Sequence, residues 1–213
     1  MGEPALMIHV PRTGFTSIAR TLQDNADGVS FADYPAPEEP YADVVQFVHA
    51  TPAWLVRFGR IDRALLRDRL VFAGLRNPWD RLLSGYCACA QSPRAAQRQL
   101  IEEHGPDFER FAEWVVSGAV PPMIGTATKD GRWANPQVDW LMVEGELVVD
   151  ELLRYETLHQ DWRRLRRRLG VTAFLRPSNV TVHRYYRQYY PPRLRTLVGD
   201  FYADDCALGS YTF

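Results

Sequence analysis

The stretch Met7–Leu22, MIHVPRTGFTSIARTL, decides how this chain reads. An apolar, strand-like run (Met7, Ile8, Val10) stops at Pro11. A short turn with one flexible residue, Gly14, follows, and Thr16 and Ser17 open a helix-like segment carrying Ile18 and Leu22. A strand that turns straight into a helix N-terminus aims several backbone N–H groups at one spot, where the helix dipole adds partial positive charge. Arg12, Thr16 and Ser17 add side-chain donors, so the turn reads as an anion cradle. It is not a Walker A loop, because GxxxxGK[ST] needs a second Gly and a Lys that this turn lacks. The competing reading is a well-capped connection with no ligand.

A second stretch, residues 71–86 (VFAGLRNPWDRLLSGY), carries the argument outward. Val71 to Leu75 is a short apolar run suited to a buried strand, and Arg76 lands at its end. Asn77 is a good N-cap and Pro78 a good first helical residue, so a helix is predicted to begin there. Helical spacing places Asn77, Arg81 and Ser84 on one face. A guanidinium at a strand end with a hydroxyl two turns along suits a phosphate, since Arg offers a planar fork of donors. The alternative is an Arg–carboxylate surface pair with a helix-capping network.

Together the two stretches resemble the sulfotransferases that use 3′-phosphoadenosine 5′-phosphosulfate (PAPS), in the branch with heparan sulfate 2-O-sulfotransferase and small bacterial relatives. That family's P-[KR]-T-G-x-T-S loop reads here Pro11-Arg12-Thr13-Gly14-Phe15-Thr16-Ser17, and its R-x-P-x-x-R-x-x-S-x-Y segment reads Arg76, Pro78, Arg81, Ser84, Tyr86. The resemblance implies that Arg12, Thr13, Gly14, Phe15, Thr16 and Ser17 hold the 5′-phosphosulfate, and that Arg76 and Ser84 hold the 3′-phosphate. It further implies that His183 and Arg184, in a loop SNVTVHR that folds over the nucleotide, contact phosphate. Phe47–Pro52 running on to Phe58-Gly59 is similar to the segment with the family's catalytic His. Leu153–Leu158 with Asp161 resembles a recurrent strand-to-helix junction, and Tyr189 to Phe213 resembles the family's closing helix. The family usually has Lys where this chain has Arg12. Arg keeps the charge and grips phosphate bidentately but is a poor proton donor. Lys129 is the only lysine in the chain, so the exchange matches its general composition.

At 213 residues the chain is expected to form one domain, 1–213, of α/β class: a mainly parallel central sheet flanked by helices in a P-loop-like nucleotide-binding fold. Apolar runs predict strands at 6–10, 44–49, 71–75 and about 152–155. Helical patterns fall at 16–24, 61–69, 78–90, 107–117, 157–169 and 192–206, the last with a stripe of Leu194, Leu197, Val198, Phe201 and Tyr202. Parallel strands would gather Pro11, His49, Arg76 and Glu156 along one edge, where open α/β sheets bind ligands. Residues 32–43 read as an exposed acidic loop, and residues 118–140 as an active-site lid or acceptor loop.

The net charge of −1 gives nothing that attracts nucleic acid or an anionic membrane. Locally, Asp161 to Gly199 holds one acid against ten Arg, a basic half suited to a doubly phosphorylated nucleotide or an acidic acceptor, although most of Arg163, Arg164 and Arg166 to Arg168 read as a solvated helix face. Three cysteines, Cys87, Cys89 and Cys206, do not make a disulfide framework, and Cys87 and Cys89 on a helix point apart. No metal is demanded. No 18-residue apolar run exists and no basic segment precedes the first strand, so a cytosolic, cytoplasmic bacterial enzyme without a membrane span is expected.

Sulfuryl transfer to a hydroxyl needs a donor clamp, charge stabilisation on the leaving phosphate, and a base. The 12–17 loop supplies the first two. His49, at a strand end and followed by a Pro52 that favours a loop, is the expected base among five histidines. His9 reads as a core residue, His104 as solvated and His159 as structural, with Glu156 the reserve base. Tyr185 and Tyr186 suit either adenine stacking or core packing. The expected reaction moves a sulfuryl group from PAPS to a hydroxyl on a glycan, lipid or metabolite and releases 3′,5′-bisphosphoadenosine (PAP). The alternatives are a small-molecule kinase and a non-catalytic nucleotide-binding protein.

Overall fold

The structure, a computed structural model, describes residues 5–25, 50–59, 61–118, 134–178 and 181–213. In chain order its elements are β1 (Ala5–Ile8), α1 (Phe15–Asn25), α2 (Pro52–Arg57), α3 (Leu65–Asp68), β2 (Leu70–Leu75) and α4 (Pro78–Ala90). There follow α5 (Ala95–His104), α6 (Phe108–Val116), β3 (Met142–Val143), β4 (Glu146–Leu147), β5 (Glu151–Arg154), α7 (Leu158–Arg168), α8 (Pro192–Phe201) and α9 (Ala203–Gly209). They gather into two compact units, Met1–Leu75 with Pro122–Asn179, and Arg76–Pro121 with Val180–Phe213.

The first unit is an α/β layer. β1, β2 and β5 form a parallel sheet with β2 in the middle. A central strand covered on both faces needs an unbroken apolar run, and all six residues of β2 are buried. Asp150 locks the β5 register by exchanging two bonds with Val71: its Oδ2 accepts from the Val71 N–H at 2.7 Å, and its own N–H donates to the Val71 carbonyl at 2.8 Å. On α1, Phe15, Ile18 and Leu22 are fully buried, and they join Phe72, Leu153, Leu158, Trp162 and Leu165 in one core. Asp161 ties β5 to α7, accepting from the Arg154 N–H and the Thr157 hydroxyl, both at 2.9 Å. A small hairpin, β3–β4, turns through Glu144 and Gly145, both with positive φ as a type I′ turn requires.

The second unit is helical. α4 begins where Asn77 accepts from the Trp79 and Asp80 N–H groups and Pro78 takes the first position. Trp79 donates to the Arg195 carbonyl at 3.0 Å, and Tyr190 donates to the Trp79 carbonyl at 2.8 Å. A Cβ on Gly199 would lie 3.0 Å from Trp79, so glycine lets α8 come close there.

Several expectations need correcting. Pro52 does not continue a loop: it opens α2, capped by the Thr51 hydroxyl, because proline's missing N–H costs nothing at a helix start. The helix expected at 61–69 shrinks to Leu65–Asp68, since the Asp62 carboxylate caps the Ala64 N–H and makes the preceding residues a turn. The helix expected at 192–206 breaks at Tyr202, and α9 then carries Asp205 fully inward. β1 stops at Ile8, leaving His9 just past the strand, buried and tilted against Phe15. The strand expected at 44–49, the acidic loop at 32–43 and most of the 118–140 loop lie outside the described residues. The described end of that loop is core, with Gln137 and Trp140 fully buried.

Candidate functional site

In the first unit the chain leaves β1 at Ile8 and enters α1 at Phe15, so a few residues must turn it. They do so with two left-handed residues, Arg12 at φ 66° and Gly14 at φ 80°. Gly14 adopts that conformation freely, whereas for Arg12 it costs about 1–2 kcal/mol. Such strain is characteristic of ligand clamps. A Cβ on Gly14 would lie 3.0 Å from both the Leu158 and Tyr155 side chains, so the turn lies directly against the β5–α7 junction.

The turn is held from inside. Thr13 is fully buried and its hydroxyl donates to the Val10 carbonyl at 2.8 Å. The Phe15 ring is core, 6.1 Å from that of Phe72. Both press on Gly74 of β2, where a Cβ would lie 2.3 Å from the Thr13 hydroxyl oxygen and 2.5 Å from the Phe15 ring. Ser17 opens α1 with its N–H on the Gly14 carbonyl at 3.0 Å. Its hydroxyl accepts from the Ser178 N–H at 3.0 Å, and Arg20 donates to the Ser178 hydroxyl at 2.5 Å. Arg12 and Thr16 are half-buried. Thus Thr13 and Phe15 direct their side chains into the protein, and what they offer a ligand is main chain. Glu156 is exposed in the one-turn helix Tyr155–Thr157, just past the strand end where it was expected. His49 lies outside the described residues.

In the second unit Arg76, only 4% exposed, directs Nε and Nη2 to one carboxylate oxygen of Asp80, each at 2.8 Å. The Arg–carboxylate pair anticipated from sequence is therefore present, but buried. Ser84 is fully buried, and its hydroxyl meets that of Thr181 at 3.1 Å. Thr181 was not singled out from sequence, although it sits in the SNVTVHR loop that was. His183 is half-buried with Nδ1 2.9 Å from the Arg184 carbonyl, and Arg184 is exposed, its N–H donating to the Tyr189 hydroxyl at 3.4 Å. Arg81 is buried beside Tyr202, whose phenol burial pushes far up, Arg81 opposing the shift and Asp205 adding to it. Arg81 and Tyr202 thus belong to the core.

Tyr186 is buried and packs edge-on against Phe213, which is core packing, while Tyr185 is largely exposed. His104 is exposed and stacks on Trp114, and His159 is exposed in the first turn of α7. The arginines of α7 are mostly engaged within their own unit: Arg164 with Asp161, Arg168 with Glu151, Arg166 with the Thr172 carbonyl and the Phe174 ring. Burial, with Asp205 adding, pushes the Cys206 thiol up to about 11, leaving it protonated at neutral pH. Among the described residues no group of three or more His, Cys, Asp or Glu is placed to hold a metal ion, and no helix is long and apolar enough to cross a membrane.

The model of the family described as "Sulfotransferase family" matches residues 3–212, nearly the whole chain. No curated protein and no solved structure matches it.

Proposed function

Because the chain belongs to the sulfotransferase family, we propose that it moves a sulfuryl group from PAPS to an acceptor hydroxyl on a glycan, lipid or metabolite, releasing PAP. The observation that carries this reading is the turn from Pro11 to Ser17, with its strained Arg12, its left-handed Gly14 and the start of α1 immediately behind it. Such a turn suits a compact anion, through main-chain N–H groups of Thr13 to Thr16 and the side chains of Arg12 and Thr16. In this reading it grips the 5′-phosphosulfate and Arg12 stabilises charge developing on the leaving phosphate.

Arg76 and Ser84, with Thr181 alongside, are assigned the 3′-phosphate, and His183 and Arg184 further phosphate contacts. The burial of Arg76 supports this, because a desolvated guanidinium recognises phosphate more strongly than a solvated one. His49 is assigned the base: it takes the acceptor proton as the acceptor O–S bond forms and the phosphate O–S bond breaks. Glu156, exposed beside the turn, is the reserve base. Sulfuryl transfer of this kind asks no metal of the protein.

Thermal unfolding with nucleotides tests the reading. PAP at a hundredfold excess over its Kd should stabilise the protein by about 2.7 kcal/mol. ATP and AMP should do much less, since neither has a 3′-phosphate. Equal stabilisation by ATP would replace this reading with that of a small-molecule kinase.

A further inference from the structure

Asp80 stands beside the second unit's arginine and has no part in the reaction as described. Resting on the PAPS reading, we propose that Asp80 is a positioning residue that makes Arg76 selective for a 3′-phosphate, by fixing its guanidinium and cancelling its long-range charge.

The geometry supplies the first half. Arg76 reaches Asp80 with Nε and Nη2 together, each 2.8 Å from the same Oδ2. Two donors on one acceptor fix the plane of the guanidinium and determine where its Nη1 side points. Asp80 is itself held, as the third residue of α4, with its N–H directed at the Asn77 side-chain oxygen. That side chain's nitrogen lies 3.4 Å from both the Tyr186 hydroxyl and the Thr212 carbonyl. The carboxylate therefore has a rigid base, and a first-turn acid is favoured by the helix dipole. Pre-set geometry removes the rotamer entropy that a long side chain otherwise loses on binding.

Charge supplies the second half. An unpaired guanidinium this deeply buried would attract any anion. Paired with Asp80 it is close to neutral at a distance, and only a group that meets its donors directly gains from it. Selectivity is a difference of affinities, and suppressing the general attraction raises that difference.

The test compares Kd values for PAP and adenosine 5′-phosphate by calorimetry at two salt concentrations, for the parent, Asp80→Asn, Asp80→Glu and Arg76→Ala. In the parent, PAP should bind at least tenfold tighter than adenosine 5′-phosphate. Asp80→Asn should shrink that ratio about tenfold, by misplacing the donors that meet the 3′-phosphate while strengthening the general attraction that also holds adenosine 5′-phosphate, and should make binding of both more sensitive to salt. Asp80→Glu restores the charge but misplaces it. It should keep the parent's salt dependence while still losing part of the ratio. A parent with no preference for PAP would sink the 3′-phosphate reading itself. A parent with the preference, lost in Arg76→Ala but kept within twofold in Asp80→Asn, would overturn the role of Asp80 alone. If Asp80→Asn does not fold, Asp80→Glu decides: an unchanged ratio there also overturns it.

Discussion

Replacing Gly74 by alanine probes whether the turn from Pro11 to Ser17 rests on β2. An ideal Cβ at that position would lie 2.3 Å from the Thr13 hydroxyl oxygen and 2.5 and 2.6 Å from two carbons of the Phe15 ring. Favourable contacts between carbons begin at about 3.5 Å, so the overlap is roughly 1 Å on each. Neither neighbour is a loose end. Phe15 is fully buried, and the Thr13 hydroxyl is tied to Val10. Overpacking of this kind costs about 1–3 kcal/mol, and breaking the Thr13–Val10 bond adds about 1 kcal/mol. The reduced entropy of the unfolded chain returns only about 0.4–1 kcal/mol, so destabilisation wins at about 2 kcal/mol. For a chain of this size that is a fall in Tm of roughly 4–8 °C. Relief must come from moving the turn, so PAP affinity should fall as well.

Urea unfolding followed by tryptophan fluorescence measures the first effect, and a double-mutant cycle with Thr13→Ala locates it. Alone, Thr13→Ala should cost about 1 kcal/mol for the lost hydrogen bond. Combined with Gly74→Ala it removes the closest clash and should cost nothing or stabilise. Strictly additive effects, or a Gly74→Ala protein within about 0.5 kcal/mol of the parent, would refute the claim that the turn sits on β2.

Three further outcomes are expected. Arg12→Gly should raise the stability of the nucleotide-free protein by up to about 1 kcal/mol, since glycine adopts the left-handed backbone freely, while weakening PAP. Arg12→Lys should retain PAP binding and sustain turnover; loss of activity in Arg12→Lys but not in Arg12→Ala would contradict the role given to Arg12. His49→Ala should bind PAP normally and transfer sulfate about 10²–10⁴-fold more slowly; near-normal turnover would shift the role of base to Glu156 or to the acceptor.

What was legible in the sequence follows from which signals are local. β2 and α4 were readable almost to the residue, because a bounded apolar run and an Asn-Pro start are local chemistry acting where tertiary packing agrees. An Arg–carboxylate pair was anticipated here only as a surface pair with no partner named; that Asp80 is the partner and that Arg76 is buried depend on what α4 packs against. α2 was missed because Pro52 was read as a breaker, when a capping Thr51 before it makes proline a helix starter. The role of Gly74 was invisible for a different reason: it depends on residues about sixty positions away in the chain. The inward turn of Thr13 is of the same kind, since nothing in P-R-T-G separates a hydroxyl facing a ligand from one holding the turn.

Under the proposed reading the two anion-binding elements work by opposite physics, and that bears on how specificity is lost. The turn after β1 acts through backbone: left-handed Arg12 and Gly14 set its shape, and Thr13 and Phe15 fix it to the core. Main-chain N–H groups donate to phosphate and sulfate alike, so the turn alone grips a compact anion without identifying the molecule that carries it. The α4 site acts through side chains whose charge is largely cancelled nearby, Arg76 by Asp80, with neutral hydroxyls at Ser84 and Thr181. Such a site gains little from an anion in general and most from one that meets several donors at once. Substitutions at α4 should therefore leave a protein that still holds nucleotides by their 5′ end but no longer distinguishes a 3′-phosphorylated donor. Damage to the turn should remove binding of all of them together. The two failure patterns differ in kind, and they separate the roles of the elements without requiring the acceptor to be known.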